Sequence, residues 1–131
     1  MRKGKGPMSE QPPAIIRNLL EVFNEQNEAK RLQVLQELYV PEATFYESEA
    51  SFTGYEAINR RVTEVLQTLP PNALFRTAGA MTQNHNLARL RWTLALPDGT
   101  VVVSGMDIVT LENGRIHALY IFIDPPPEAT A

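Results

Sequence analysis

The chain has 131 residues, no cysteine, 44% hydrophobic residues and a formal charge of −3. That length makes one domain able to bury a core unaided, and the missing thiols exclude a disulfide framework, a thiolate metal centre and a cysteine nucleophile. The acidic balance lacks the basic excess of a nucleic-acid binder, and the longest apolar run, Ala118 to Ile123, is roughly a third of the ~18 residues a membrane span needs.

Residues 1–13 show no apolar periodicity. Arg2, Lys3 and Lys5 sit among Gly4, Gly6 and Pro7 with no apolar stretch after them, so a mobile tail or a start at Met8 is expected rather than a secretory leader. A cytoplasmic domain over 14–124, with a second tail over 125–131, follows from this reading. Pro12-Pro13 opens the first helix, and Ile15, Ile16, Leu19, Leu20 and Phe23 form its apolar face. A second helix is predicted near 29–39, burying Leu32, Leu35, Leu38 and Tyr39 and stopped by Pro41. After a short strand at 43–47, Thr53 and Glu56 have the spacing of a capping box for a third helix. That helix runs through Ile58, Val62, Val65, Leu66 and Leu69 to Pro70-Pro71.

From Asn72 the period changes to two. Strands are predicted over 73–82 and 87–96 around an Asn84-His85-Asn86 turn, then over 100–111 and 115–123 joined at Asn113-Gly114. Three helices followed by an antiparallel meander give an α+β fold, a cone-shaped curved antiparallel sheet packed against three N-terminal helices and enclosing a pocket. Alternation turns Leu90, Trp92 and Leu94 toward the helices and Arg89, Arg91 and Thr93 outward. The odd set of the next strand is Val101, Val103, Gly105, Asp107, Val109 and Leu111, one carboxylate on an apolar face. A charge there is costly unless paired, protonated or wet. On the last strand Ile116, Ala118, Tyr120 and Phe122 read as the inward face. Phe45 and Tyr46 face opposite ways, so one of them lines the interior. His85 lies in a turn and His117 on the other parity, so no metal constellation is expected.

The stretches Tyr39-Val40-Pro41-Glu42-Ala43-Thr44-Phe45-Tyr46-Glu47, Phe52-Thr53-Gly54-Tyr55-Glu56-Ala57-Ile58, Arg91-Trp92 and Ser104-Gly105-Met106-Asp107-Ile108-Val109, with Glu112-Asn113-Gly114-Arg115-Ile116, resemble the nuclear transport factor 2-like superfamily. The likeness is to its SnoaL-like (polyketide cyclase-like) and ketosteroid isomerase-like branches, and it spans about Ile15 to Asp124. It implies that Glu47 stands where steroid isomerases carry their general base, and Asp107 where they carry a protonated oxyanion-hole aspartate. Their oxyanion-hole tyrosine falls at about Leu19, and Ser48 replaces a proline, so the chain departs from the isomerase pattern there. The Arg-x-Asp pattern of the epoxide-hydrolase branch falls on Arg89-Leu90-Arg91, without its aspartate.

Three readings stay open. One is an enzyme acting on a small, apolar, carbonyl-bearing molecule by cofactor-independent isomerase-, cyclase- or lyase-type proton transfer. Asp107 and Glu47 would be its catalytic carboxylates, and Tyr46, Trp92, Tyr120 and Phe122 its ligand-binding wall. Another is a binding module using the same pocket. The third is an association domain whose outer sheet face pairs two copies, and a homodimer is compatible with all three.

Overall fold

A computed structural model of the chain describes residues 11–126, so Arg2, Lys3, Lys5 and Met8 lie outside the described residues. Helix α1 (Ala14–Arg17) starts after Pro13 and passes directly into a π-helical turn, Asn18–Val22. The wider turn is closed by the Phe23 amide on the Asn18 carbonyl at 3.1 Å. It brings Ile15, Asn18, Leu19, Val22 and Phe23 to one buried side and leaves Leu20 exposed, which an unbroken 3.6-residue period does not anticipate.

Helix α2 (Glu28–Leu38) is capped by Asn27, whose side chain accepts from the Lys30 amide at 2.9 Å. Leu35, Leu38 and Tyr39 are buried as expected, but Arg31, not Leu32, takes the remaining inward position. Its guanidinium is fully buried and bonded to Asn59 Oδ1 (2.6 Å), to the carbonyls of Glu25 and Asn59, and to Thr63. Those bonds rivet α2 to helix α3 (Tyr55–Gln67). Pro41 does not end α2. The chain is already extended at Tyr39, and Pro41 lies inside strand β1 (Tyr39–Tyr46), where the register shifts between Tyr39 and Thr44.

The capping box does not form. Thr53 belongs to strand β2 (Ser51–Thr53) and its hydroxyl meets Thr44 Oγ1 at 2.9 Å, while Gly54, at φ +94°, occupies the N-cap of α3. The predicted strand over 73–82 is likewise two strands, β3 (Leu74–Thr77) and β4 (Thr82–Asn84), parted at Gly79, whose φ is +100°. Strands β5 (Leu87–Ala95), β6 (Val101–Glu112) and β7 (Arg115–Ile123) follow.

The sheet order is β2-β1-β7-β6-β5-β3, with β4 also on β5. Every pairing is antiparallel except β1 with β7. The sheet curves around the helices without closing, an α+β cone. One row across it reads Phe45, Leu119, Val109, Ala88, all 1% exposed or less, and this is the face against the helices.

One extra residue corrects the facing of β7. Leu111 pairs with Ile116, but Thr110 pairs with Ala118, so His117 is bulged out. Beyond it the inward parity passes to Leu119, Ile121 and Ile123, and Tyr120 and Phe122 turn to the other face.

Candidate functional site

Between the open end of the sheet and the helices lies a cavity of about 670 Å³. Aromatic rings make much of its wall. Phe23 meets Phe45 and Phe75 edge to face at 6.0 and 5.9 Å, and Phe75 meets Trp92 in the same way at 5.3 Å. Phe23 caps the π-helical turn, and β1, β3 and β5 supply the others, so the cage is held from four places in the fold.

Asp107 is the floor. It pairs with Leu90 on β5 and Ile121 on β7, and it is 1% exposed. Trp92 Nε1 donates to its Oδ1 at 2.8 Å; among the described residues no donor reaches Oδ2. Burial in apolar surroundings pushes the Asp107 carboxyl up from 3.8 to about 7, against the opposing pull of the Trp92 bond. Trp92 fits because its neighbour on β6 is Gly105. A Cβ there would run into the Phe122 carbonyl oxygen and lie 2.5 Å from the indole ring. Nearby, the buried Tyr39 hydroxyl donates to Asn18 Oδ1, and burial together with the charge of Asp107 pushes the Tyr39 phenol well up. Leu19 lines the cavity and brings no hydroxyl.

Glu47 lies at the mouth, where both of its oxygens accept from one guanidinium, Arg61 Nε at 2.7 Å and Nη2 at 2.9 Å. Arg61 Nη1 also donates to Glu64 at 3.0 Å, and its guanidinium carbon lies 5.5 Å from the centre of the Phe52 ring. The two carboxylates raise the Arg61 pKa.

All six residues singled out in the sequence border this cavity, though unequally. Asp107 and Trp92 turn into it. Of the Phe45–Tyr46 pair, Phe45 is the one buried inside. Tyr46 and Tyr120 stack on each other at 4.6 Å, both 37% exposed, in a row with Ile108 on the outer face, and Phe122 is 56% exposed. These three reach the cavity at its rim. Sequence reasoning missed Arg61, Phe23 and Phe75. For the two phenylalanines the apolar periodicity was available as a signal, whereas for Arg61 nothing local announces a partner fourteen residues away. It also missed a surface cluster in which Glu42, Glu112 and His117 bring ligand atoms within 4.8 Å of one another. The bulges of β1 and β7 gather these three, and all are exposed.

Residues 16–119 match the model of the SnoaL-like domain. A search of the curated proteins gave no significant match. Among solved structures, the chain is similar to an isomerase candidate of the SnoaL-like family from Agrobacterium tumefaciens, 26% identical with a TM-score of 0.77 over 85% of this chain and 95% of that one. It is also similar to a SnoaL-like polyketide cyclase candidate from a Jannaschia species, at 16% identity and TM-score 0.69 over 85% and 83% of the two chains. A protein with a ketosteroid isomerase-like fold from Catenulispora acidiphila, in complex with trimethylamine, gives 11% and 0.67 over 86% of each. The last two likenesses concern the fold alone. No described helix is long and apolar enough to cross a membrane. With four-fifths of its length inside that one domain model, the chain belongs to the SnoaL-like domain family.

Proposed function

We propose that the cavity takes an apolar, carbonyl-bearing small molecule and that the protein is an isomerase- or cyclase-type enzyme working by proton transfer alone. Asp107, protonated, donates from its free oxygen to the ligand carbonyl and stabilises the charge that develops there on enolisation. Glu47 is the base that removes the proton next to that carbonyl. The observation that carries this reading is the Asp107 carboxyl itself, buried among apolar groups, held by Trp92 on one oxygen and open on the other. Asp107→Asn keeps the shape and the acceptor for Trp92 but has no acidic proton. With any substrate found, it should lose at least about a hundredfold in kcat while ligand Kd changes little. Unaltered turnover would end the acid role.

A second reading, a binding module without chemistry, is favoured by one specific contact. Arg61 occupies both oxygens of the other carboxylate that lines the cavity, so Glu47 is not a free base. Glu47→Gln separates the two readings: turnover falls if Glu47 is the base, and binding alone responds if it is not.

We further propose that two copies pair through the outer sheet face. There Met106, Ile108, Tyr120 and Phe122 lie between Arg89 and Arg91 on one side and Thr44 and Thr53 on the other. Sedimentation should give a dimer, and Tyr120→Glu should give a monomer.

A further inference from the structure

We infer that the cavity selects against anions: its ligand carries no negative charge, and Glu47 and Glu64, clamped on Arg61, set that selection at the mouth. The inference rests on the cavity being the ligand site. An arginine lining an apolar cavity would ordinarily read as the anchor for a carboxylate or phosphate. Here the guanidinium is already committed on three sides. Nε and Nη2 give a forked pair to Glu47, Nη1 gives a third bond to Glu64, and the guanidinium carbon sits over the Phe52 ring.

Two carboxylates on one guanidinium leave this cluster beside the mouth with a net charge of −1. A ligand carboxylate reaching Arg61 would have to displace Glu47. The exchange replaces one carboxylate by another, so it forms no additional ion pair while Glu47 gives up its own. Further in, the described wall residues are apolar around the Asp107 carboxyl and bring no cation. An anion therefore meets repulsion at the mouth, with no free cation among the described wall residues to receive it. An uncharged ketone or aldehyde meets neither obstacle, because the aromatic wall accepts its body and Asp107 can serve its oxygen. Specificity arises here from a repulsive element built beside the attractive one.

Two probes of nearly the same shape test this. 2-Acetylnaphthalene and 2-naphthoate share a ring system and differ in a methyl ketone against a carboxylate. Fluorescence titration of the full chain at about pH 6, where naphthoate is ionised and the Asp107 carboxyl still holds its proton, should show the ketone bound and naphthoate at least about tenfold weaker. Raising the salt should narrow the gap by screening the mouth. In Glu47→Gln/Glu64→Gln the freed Arg61 should reverse the order, so that naphthoate binds more tightly. Glu64→Gln alone, at a side chain 53% exposed, should narrow the gap and guards against a double variant that fails to fold.

Naphthoate binding the native protein as tightly as the ketone would overturn the charge selection while leaving the cavity a ligand site. An order unchanged in folded variants would remove Glu47 and Glu64 from it. Neither probe binding would end the reading of the cavity as a site for apolar carbonyl compounds, and this inference with it.

Discussion

The two ends of the cavity treat a carboxylate in opposite ways. At the floor Asp107 has one neutral partner, the indole of Trp92, and apolar neighbours on both flanking strands. At the mouth Glu47 has a guanidinium across both oxygens and water within reach. A buried carboxylate without a cation is costly, so the floor favours the protonated acid. A paired and partly hydrated one carries far less of that cost. The same functional group thus stands in an apolar setting at one end and in an ion pair at the other. Position in the fold, not residue type, makes the difference.

That contrast can be broken most forcefully at the floor by pH. The Asp107 pKa is raised from 3.8 to about 7 on folding, so between those values the folded state holds a proton that the unfolded state has lost. Its stabilising contribution is complete below the unfolded value and disappears as pH rises through the folded one, a decline of about 4 kcal/mol over that window. Asp107→Asn should remove the decline. Urea titrations at about pH 4 and about pH 8 should show the variant level with the native protein at the lower pH and more stable at the higher.

Next in size is Gly105→Ala, which puts a methyl group against a backbone carbonyl and the Trp92 ring. It should cost about 3 kcal/mol by thermal denaturation and shift the indole fluorescence, because β6 cannot keep both its register and that contact. Trp92→Phe sharpens the contrast more gently. The loss of one buried hydrogen bond should cost about 1–2 kcal/mol and raise the Asp107 pKa further, since the indole N–H is what draws it down. Smallest is Glu47→Gln. With partners 31% and 23% exposed, breaking that ion pair should cost under about 1 kcal/mol, less again in high salt.

The floor was legible in the sequence and the mouth was not. Alternation along β5 and β6 depends only on a period of two, which turns Trp92 toward the helices and sets Asp107 on an apolar face, and the pairing of β5 with β6 puts both on the buried side. The same rule failed on β7, because the bulge at His117 shifts parity by one residue and leaves no mark in the pattern of apolar side chains. Tyr120 and Phe122 went to the wrong face for that reason alone. At the other end, the bond between Glu47 and Arg61 joins the end of β1 to the middle of α3, and only the packed fold brings them together. Arg31 was hidden in a further way. A charged residue on an apolar helix face reads as solvent-facing, unless the groups that satisfy it on a neighbouring helix are known. The capping box failed through competition, since Thr53 pairs with Thr44 across β1 and β2 and its hydroxyl is no longer free for the helix.

The most direct test of the contrast between floor and mouth is a carboxyl-carbon NMR titration of Asp107 in the full chain, assigned by its disappearance in Asp107→Asn. A midpoint near 7 is the result expected of an acid held neutral by its apolar surroundings. A midpoint near 4, the value of an ordinary hydrated aspartate, would contradict it and leave Asp107 no part as a donor.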